Sequence, residues 1–301
     1  MSNGGAVYAA PGGARRLAAR VRQRYPEVQS VLVLAPALVL LTLLYLLPLA
    51  QMLLRSILDP EFTLEHYQHF FTEAVYLRVL GVTFRMALAV TVLTLLLGFP
   101  VAYVLSTARP RWRNIMLLAV ILPFWISILV RTYAWMVLLG RSGVVNETLL
   151  RLGLVTEPIK VINTQAGVLI GMTHILLPYM ILPLYSVMRG IDPRLMQAAS
   201  SLGAGTWSAL RHVYLPLAMP GIVAGSILVF IISLGFYITP ALLGGPRDQM
   251  VAMVIAGQVQ TLLNWGFAAA ISAVLLGTTL VLFAVCNRLV GLDQMFGGIS
   301  R

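Results

Sequence analysis

Charged residues are scarce in this 301-residue chain. Only 10% of the residues are charged, whereas 59% are hydrophobic and the mean hydropathy is +0.89. A soluble protein carries roughly 25% charged residues. The composition therefore argues against an ordinary soluble enzyme and against a disordered chain, and it indicates a protein that crosses a membrane several times.

Cysteine and lysine are almost absent. The only cysteine, Cys286, lies in a late apolar stretch, so the chain can form neither an internal disulfide nor a thiolate metal cluster. The only lysine, Lys160, follows an isoleucine and precedes a valine, and no Gly-x-x-x-x-Gly-Lys-Ser/Thr loop exists. Stability must then come from helix packing in lipid, and the chain is not expected to hydrolyse nucleotide by itself.

Catalytic and metal-binding patterns are missing as well. The sequence contains neither His-Glu-x-x-His nor Gly-x-Ser-x-Gly, and no acid falls inside a predicted span. His174 is the one ionisable group there that could serve a proton relay, and we interpret it as bonded to a carbonyl of a neighbouring helix. We therefore predict a non-enzyme with no catalytic residue, metal or cofactor.

Long uncharged runs predict six membrane spans, because a hydrocarbon core about 30 Å thick needs about 20 apolar helical residues. The first run follows five arginines, as in a signal peptide, but it is too long for one and should remain as an anchor. The predicted spans are 31–54, 79–105, 115–139, 166–188, 220–242 and 266–287. We expect a basic segment at 1–30, a permease-like membrane domain at 31–290 and a tail at 291–301.

The basic residues are distributed unequally between the two sides of these spans. Both termini share one side, which carries 13 of the 21 Lys and Arg residues, against six on the other side. By the positive-inside rule that side is cytoplasmic, and both termini are predicted there. The net charge of +11 is thereby explained by topology rather than by nucleic-acid binding.

Two outer loops are long enough to hold structure. Residues 141–153 alternate apolar and polar side chains at helical spacing and end in glycine, which predicts a short amphipathic helix on the outer surface. Residues 244–265 are long for a turn, and either a re-entrant or an interfacial helix is compatible with their uncharged second half.

The inner loop at 189–219, between the fourth and fifth spans, carries helix signals. Asp192 is placed to cap a helix that starts at Pro193, and Gly203 suits the left-handed residue that ends it. Thr206 is expected to cap a second helix running to Pro216. Physical reasoning leaves two interpretations open: a hairpin that covers the bundle, or a surface to which a partner docks.

The same loop resembles a known coupling motif. Its residues Gln197-Ala198-Ala199, then Gly203, then Leu215-Pro216 are similar to the Glu-Ala-Ala, three residues, Gly, and later Leu-Pro of membrane subunits in bacterial binding-protein-dependent ATP-binding-cassette importers. The resemblance implies an all-α permease of the type I importer kind, both termini inside, with this loop docked on a separate ATPase. Gln197 replaces the family's glutamate, which puts any salt bridge of that acid in doubt.

The implied partners are a pair of ATPase subunits, a second permease and an extracytoplasmic binding protein, all working at the bacterial inner membrane. A narrower resemblance, to spermidine/putrescine permeases, rests on the segments 121–125, 131–135, 177–183 and 243–248 with 264–265. A polyamine is the expected solute. The alternatives are an importer for ferric iron or another small solute, an ion-gradient carrier, and a scaffold without transport activity.

Several polar and aromatic residues within or next to the predicted spans are candidates for lining a solute pathway. Arg131 lies about 12 Å inside its span, where an arginine needs partners that no nearby acid supplies. Either it faces a water-filled cavity or the companion subunit, or it contacts headgroups or carbonyls. The candidate pathway residues are Arg131, Thr132, Tyr133, Trp135 and Tyr237. Arg85, nearer the outer end of its span, is interpreted as structural.

Overall fold

The computed structural model describes residues 26–59 and 61–290, and these residues form helices and their connections, with no strand. The predicted tail at 291–301 and most of the predicted segment at 1–30 lie outside the described residues. Six helical stretches are long and apolar enough to cross a membrane: Leu34–Leu58, Ala74–Thr107, Ile128–Arg151, Gln165–Arg189, Thr206–Leu234 and Trp265–Val285. The predicted all-α class with six spans is confirmed.

The first span consists of α1 (Pro26–Leu41), a π-helical turn (Thr42–Leu46) and α2 (Leu47–Leu58). Within the turn, the amide of Leu47 donates to the carbonyl of Thr42. This wider spacing falls immediately before Pro48, which has no amide hydrogen and whose ring would collide with the carbonyl four residues earlier in a regular helix. The chain divides into two compact units after Arg55, and the helices below belong to the second unit.

The described residues of the second unit form twelve α-helices in chain order. They are α3 (Glu65–Thr72), α4 (Ala74–Thr107), α5 (Pro110–Ile121), α6 (Ile128–Leu139), α7 (Val144–Arg151), α8 (Gln165–Arg189), α9 (Pro193–Ser201), α10 (Thr206–Ala209), α11 (Leu215–Leu234), α12 (Ile238–Leu243), α13 (Val251–Gln260) and α14 (Trp265–Val290). Helix α7 confirms the predicted amphipathic helix, with Gly153 at a φ of +66° beyond its end.

The main core is built by α4, α8 and α11, with α8 at its centre. Large side chains of α8 such as Met172, Leu176 and Met180 are fully buried against Met86 of α4 and Val229 of α11. Helix α8 is buried on more of its surface than the other spans, and it is continuous although Pro178 and Pro183 lie inside it. Its packed neighbours hold the helix where the proline residues remove backbone hydrogen bonds.

Helices α8 and α11 approach each other closely at two glycines spaced four residues apart. A Cβ atom at Gly221 would lie 3.2 Å from the Cα atom of Leu184, and one at Gly225 would lie 2.8 Å from the sulfur of Met180. Small residues at this spacing let two membrane helices bring their backbones together. Any larger side chain at these positions would force the two helices apart.

A smaller core joins α3, α4, α13 and α14. Phe70 of α3 and Val79 of α4 are buried with Val251 of α13 and with Phe267 and Ile271 of α14. The amide of Val251 donates to the buried hydroxyl of Thr83 at 2.9 Å, which fixes the start of α13 on α4. Residues 244–265 therefore contain a ten-residue helix, α13, as the length of the loop suggested.

The third predicted span, 115–139, is not one helix. Helix α5 ends at Ile121, a 3-10 turn covers Leu122–Trp125, and α6 begins at Ile128 after two residues of extended backbone. Pro123 cannot donate a helical hydrogen bond, and no residue of α5 is buried, so packing does not compensate for the loss. The chain breaks there instead of bending.

The fifth predicted span, 220–242, is displaced toward the inner loop. The span runs from Thr206 through α10, a π-helical turn (Leu210–Tyr214) and α11 to Leu234. Gly235 to Tyr237 then separate α11 from the short helix α12. Pro216 does not start a new element, because the π turn lets the amide of Leu215 reach the carbonyl of Leu210 and so accommodates the proline ring.

Candidate coupling site and solute pathway

Helix α9 begins as the sequence predicts. The backbone amide of Arg194 donates to the Asp192 carboxylate at 2.9 Å, so Asp192 is the N-cap, and Pro193 occupies the first helical position. The cap satisfies one of the free amides at the helix start, and the carboxylate faces the positive end of the helix dipole. The start of the short helix is thus stabilised locally, in addition to the packing of Met196 against the main core.

The other end of α9 is closed by Gly203. Its amide donates to the carbonyl of Ser200 at 3.0 Å, and the amide of Ala204 donates to the carbonyl of Ala199 at 3.0 Å. This pair of bonds is the Schellman arrangement, which needs a left-handed residue at the position of Gly203. Gly203 has a φ of +86°, which glycine adopts without strain.

The coupling motif lies on the surface. No residue of α9 is buried, and Gln197, Ala198, Gly203, Leu215 and Pro216 are exposed. Ala199 is partly buried. The Gln197 side chain makes no hydrogen bond to the described residues. The amide group therefore remains free to meet another surface.

Two apolar side chains beside the motif were missed by the sequence reasoning. Leu202 is 88% exposed and Trp207 is 74% exposed, both within the connection between the fourth and fifth spans. Large apolar side chains displayed together outside the bundle are typical of interaction surfaces. Their signal in the sequence was an apolar residue before Gly203 and a tryptophan after Thr206, in a loop that needs neither for its own fold.

The second short helix departs from the prediction in its cap. Helix α10 starts at Thr206 itself, its N-cap is Gly205, and no side chain caps it. The helix is instead held by continuity with α11 and by Tyr214, which is 4% exposed. The Tyr214 hydroxyl lies 3.2 Å from Ser106 Oγ, and its ring packs edge-on against Tyr103 at 5.1 Å. The coupling segment is thereby fixed to the end of α4.

The pathway candidates on α6 point in different directions. Thr132 is fully buried and its hydroxyl lies 3.2 Å from that of Thr239 on α12, so it joins two helices rather than lining a cavity. Tyr133 is 54% exposed, on another side of α6. Arg131 and Trp135, one turn apart, share a face that packs toward α8.

That shared face forms a polar contact with α8. The indole nitrogen of Trp135 donates to Nδ1 of His174 at 3.1 Å, which fixes this nitrogen as an acceptor because an indole can only donate. His174 is therefore bonded to an indole and not to a carbonyl, contrary to our interpretation. The Nε atom of Arg131 is buried with no hydrogen-bond partner.

Other aromatic side chains lie at the breaks in the third and fifth spans. Phe124, in the broken part of the third span, packs edge-on against Tyr179 of α8 at 4.9 Å. Tyr237 is 40% exposed in the break between α11 and α12, and the structure does not bring it to the Trp135–His174 pair through any ring contact or hydrogen bond. Within the part of the chain that the structure describes, no group of three or more His, Cys, Asp or Glu residues could hold a metal ion.

Known proteins resemble this chain over most of its length. Spermidine/putrescine transport system permease protein PotB of Haemophilus influenzae is 38% identical over 230 residues, which cover 75% of this chain and 80% of that protein. PotB of Escherichia coli is 36% identical over 231 residues, covering 76% and 84%. Inner membrane ABC transporter permease protein YdcU of Escherichia coli is 35% identical over 248 residues, covering 78% and 79%.

Solved structures and a family model agree on the fold. A chain in the crystal structure of a bacterial ABC transporter for the acidic polysaccharide alginate matches with a TM-score of 0.67 and 19% identity, over 90% of this chain and 96% of that one. The same transporter with a pentasaccharide-bound periplasmic protein matches with a TM-score of 0.68. Residues 30–287 match the model of the binding-protein-dependent transport system inner membrane component. The chain belongs to this family of transport permeases.

Proposed function

We propose that this permease forms the translocation path of an ATP-binding-cassette importer for polyamines such as spermidine and putrescine, and that α9 couples the path to a separate ATPase. The family match and the names of the similar permeases support transport of this solute class. The observation that carries the coupling role is α9 itself, a helix capped at both ends with no buried residue. Met196 packs partly against the main core, but the rest of the helix, including Gln197 and Ala198, is left for a partner.

The assembly that follows contains two ATPase subunits, a second permease and an extracytoplasmic binding protein. The ATPase contacts the surface formed by Gln197, Ala198, Leu202 and Trp207. Both termini and residues 189–219 lie on the cytoplasmic side, because that side holds most of the Lys and Arg residues. The opposite ends of the spans receive the binding protein.

Movement of α9 would reach the spans through two connections. Thr206–Leu234 is a continuous span of 29 residues, so a force on α10 acts directly on α11. Tyr214, bonded to Ser106, passes the same displacement to α4. Since α4, α8 and α11 form the main core, this pair of contacts links the exposed motif to the centre of the bundle.

The path itself would bind a polyamine weakly. No Asp or Glu lies within the segments 79–105, 115–139 and 166–188, and Arg131 adds a positive charge where a cation would pass. Aromatic faces such as those of Trp135 and Tyr179 can still receive ammonium groups. Selectivity would accordingly belong to the binding protein, and the permease would provide a path that the solute leaves easily.

The decisive experiment compares Gly203→Val with Gly205→Val in the reconstituted complex. A Cβ atom at either position would meet no atom within 4 Å, so both positions have open space at the branch point of the new side chain. They differ in φ, which is +86° at Gly203 and −65° at Gly205. A branched side chain strains the left-handed conformation by roughly 1–2 kcal/mol but fits the extended one.

We expect Gly203→Val to reduce ATP hydrolysis stimulated by polyamine-loaded binding protein by about tenfold, while membrane insertion and basal hydrolysis remain. Gly205→Val should stay close to the unmodified protein. Equal activity of the two variants would reject coupling through α9. A co-encoded binding protein that binds no spermidine or putrescine would reject the solute, and a complex that no binding protein stimulates would reject the importer.

A further inference from the structure

A groove of about 570 Å³ opens between α4, α11 and α14. On the neighbouring stretch of α14, Phe267 and Ile271 pack with Val79 of α4 in the smaller core. Farther along the same helices the walls are formed by Leu88 of α4, Phe230 of α11 and Phe283 of α14. The groove thus begins where the packing between α4 and α14 ends.

The groove is lined by apolar surface, and most of its hydroxyl groups are already bonded. The Thr91 hydroxyl donates to the carbonyl of Ala87 at 2.7 Å, and the Thr279 hydroxyl donates to the carbonyl of Leu275 at 2.7 Å. These bonds turn both side chains toward their own helices. An apolar lining of this kind favours a hydrocarbon chain over water or a polar solute.

The guanidinium group of Arg85 lies at the edge of this groove. Arg85 is exposed, lines the groove and makes no hydrogen bond or ion pair with the described residues. An arginine within a membrane span is costly unless an anion or polar group reaches it. Our interpretation of Arg85 as a structural residue is therefore not supported by contacts within the described chain.

The depth of Arg85 indicates which anion is available. Residues 86–107 of α4 carry no charge, and Arg109 is the second residue after the helix. The 24 residues from Arg85 to Arg109 correspond to about 36 Å of helix, slightly more than the hydrocarbon thickness of about 30 Å. The two arginines therefore lie near opposite boundaries of the hydrocarbon core, at the level of lipid phosphates.

We propose that this groove binds an anionic phospholipid, whose phosphate accepts hydrogen bonds from the Arg85 guanidinium and whose acyl chain lies against Leu88, Phe230 and Phe283. Guanidinium and phosphate form strong, often bidentate hydrogen bonds. A second copy of this chain offers no Asp or Glu within its predicted spans, and its acids lie only in the segments outside them. The surrounding bilayer supplies both the anion and the apolar chain.

The test uses the full chain purified in detergent and titrated with phosphatidylglycerol, with bound lipid counted by native mass spectrometry. Arg85→Ala removes the phosphate contact, and Leu88→Trp fills the groove. Arg78→Ala is the matched control, since Arg78 is an exposed arginine on the same helix outside the groove. Circular dichroism establishes that each variant is folded, and Arg85→Lys restores the charge without the bidentate geometry.

We expect one tightly retained phospholipid on the unmodified protein and on Arg78→Ala. Its apparent affinity should fall by about tenfold in Arg85→Ala and in Leu88→Trp, with Arg85→Lys between these values. Equal lipid retention in Arg85→Ala and Arg78→Ala would overturn the proposal. So would a photoreactive side chain at position 88 that, in membranes, captures a companion permease instead of lipid.

Discussion

The two ends of the helix bundle are built on different principles. At the coupling end, which carries residues 189–219, helix α9 has no buried residue and displays apolar side chains outward. At the opposite end, buried polar side chains tie the connecting segments to one another. One end is therefore held by its own buried hydrogen bonds, whereas the other leaves exposed the surface on which we propose that the ATPase docks.

Asn146 shows how the opposite end is held. This side chain of α7 is 1% exposed, donates to the carbonyls of Gly140 at 2.9 Å and Ile159 at 3.0 Å, and accepts from the amide of Ile159 at 2.8 Å. One amide group thereby satisfies three backbone groups from two segments. The buried pair Thr132–Thr239 joins α6 to α12 in the same region.

Asn146→Ala should have the largest effect on stability. A small effect would contradict the difference that we describe between the two ends of the bundle. The substitution removes three partly buried hydrogen bonds to backbone groups of Gly140 and Ile159, which costs about 2–4 kcal/mol of unfolding free energy. The measurement is unfolding of the purified protein in detergent, followed by circular dichroism. Thr148→Ala is the control, because this exposed hydroxyl bonds only within α7. Similar losses in both variants would show that the opposite end is not locked by Asn146.

Asp192→Ala should have a smaller effect, confined to the coupling end. It removes the N-cap of α9, worth about 1 kcal/mol of local helix stability. Because α9 has no fully buried residue, the unfolding free energy of the whole protein should change little, whereas ATP hydrolysis stimulated by the binding protein should fall several-fold. Asp192→Asn keeps a capping oxygen and should retain activity. Loss of activity in Asp192→Asn would point to the charge instead of the cap.

The smallest expected effect concerns the hydrogen bond between Thr132 and Thr239 at the opposite end. Thr132→Val and Thr239→Val each remove one hydroxyl of a buried pair. A double-mutant cycle measures the interaction free energy between the two hydroxyls. We expect a coupling free energy of about 0.6 kcal/mol, typical of hydrogen bonds between membrane helices. A coupling energy of zero would mean that α6 and α12 are held together by packing alone.

The sequence predicts those features that depend on local chemistry. The cap at Asp192, the proline at position 193 and the glycine at 203 define α9 correctly, because each acts through its own backbone and near neighbours. The six spans follow from length and hydropathy in the same way. These rules need no knowledge of what packs against each element.

Features that depend on packing could not be predicted. Pro123 lies in the 3-10 turn that interrupts the third span, whereas Pro178 and Pro183 lie within a continuous α8, and the sequence around these prolines does not tell the two cases apart. The hydrogen bond between Trp135 and His174 joins residues on two helices, so no spacing in the sequence reveals it. The expected cap at Thr206 failed because α10 is held by its continuity with α11.

The close contact of Gly221 and Gly225 with α8 would act as a pivot for the span from Thr206 to Leu234. Their close approach to α8 lies nearer to Leu234 than to Thr206, so the arm that reaches the coupling end is the longer one. A small swing of that long arm would tilt the short arm in the opposite direction. One rotation of this span about its contact with α8 would then open the solute path at one face of the membrane and close it at the other.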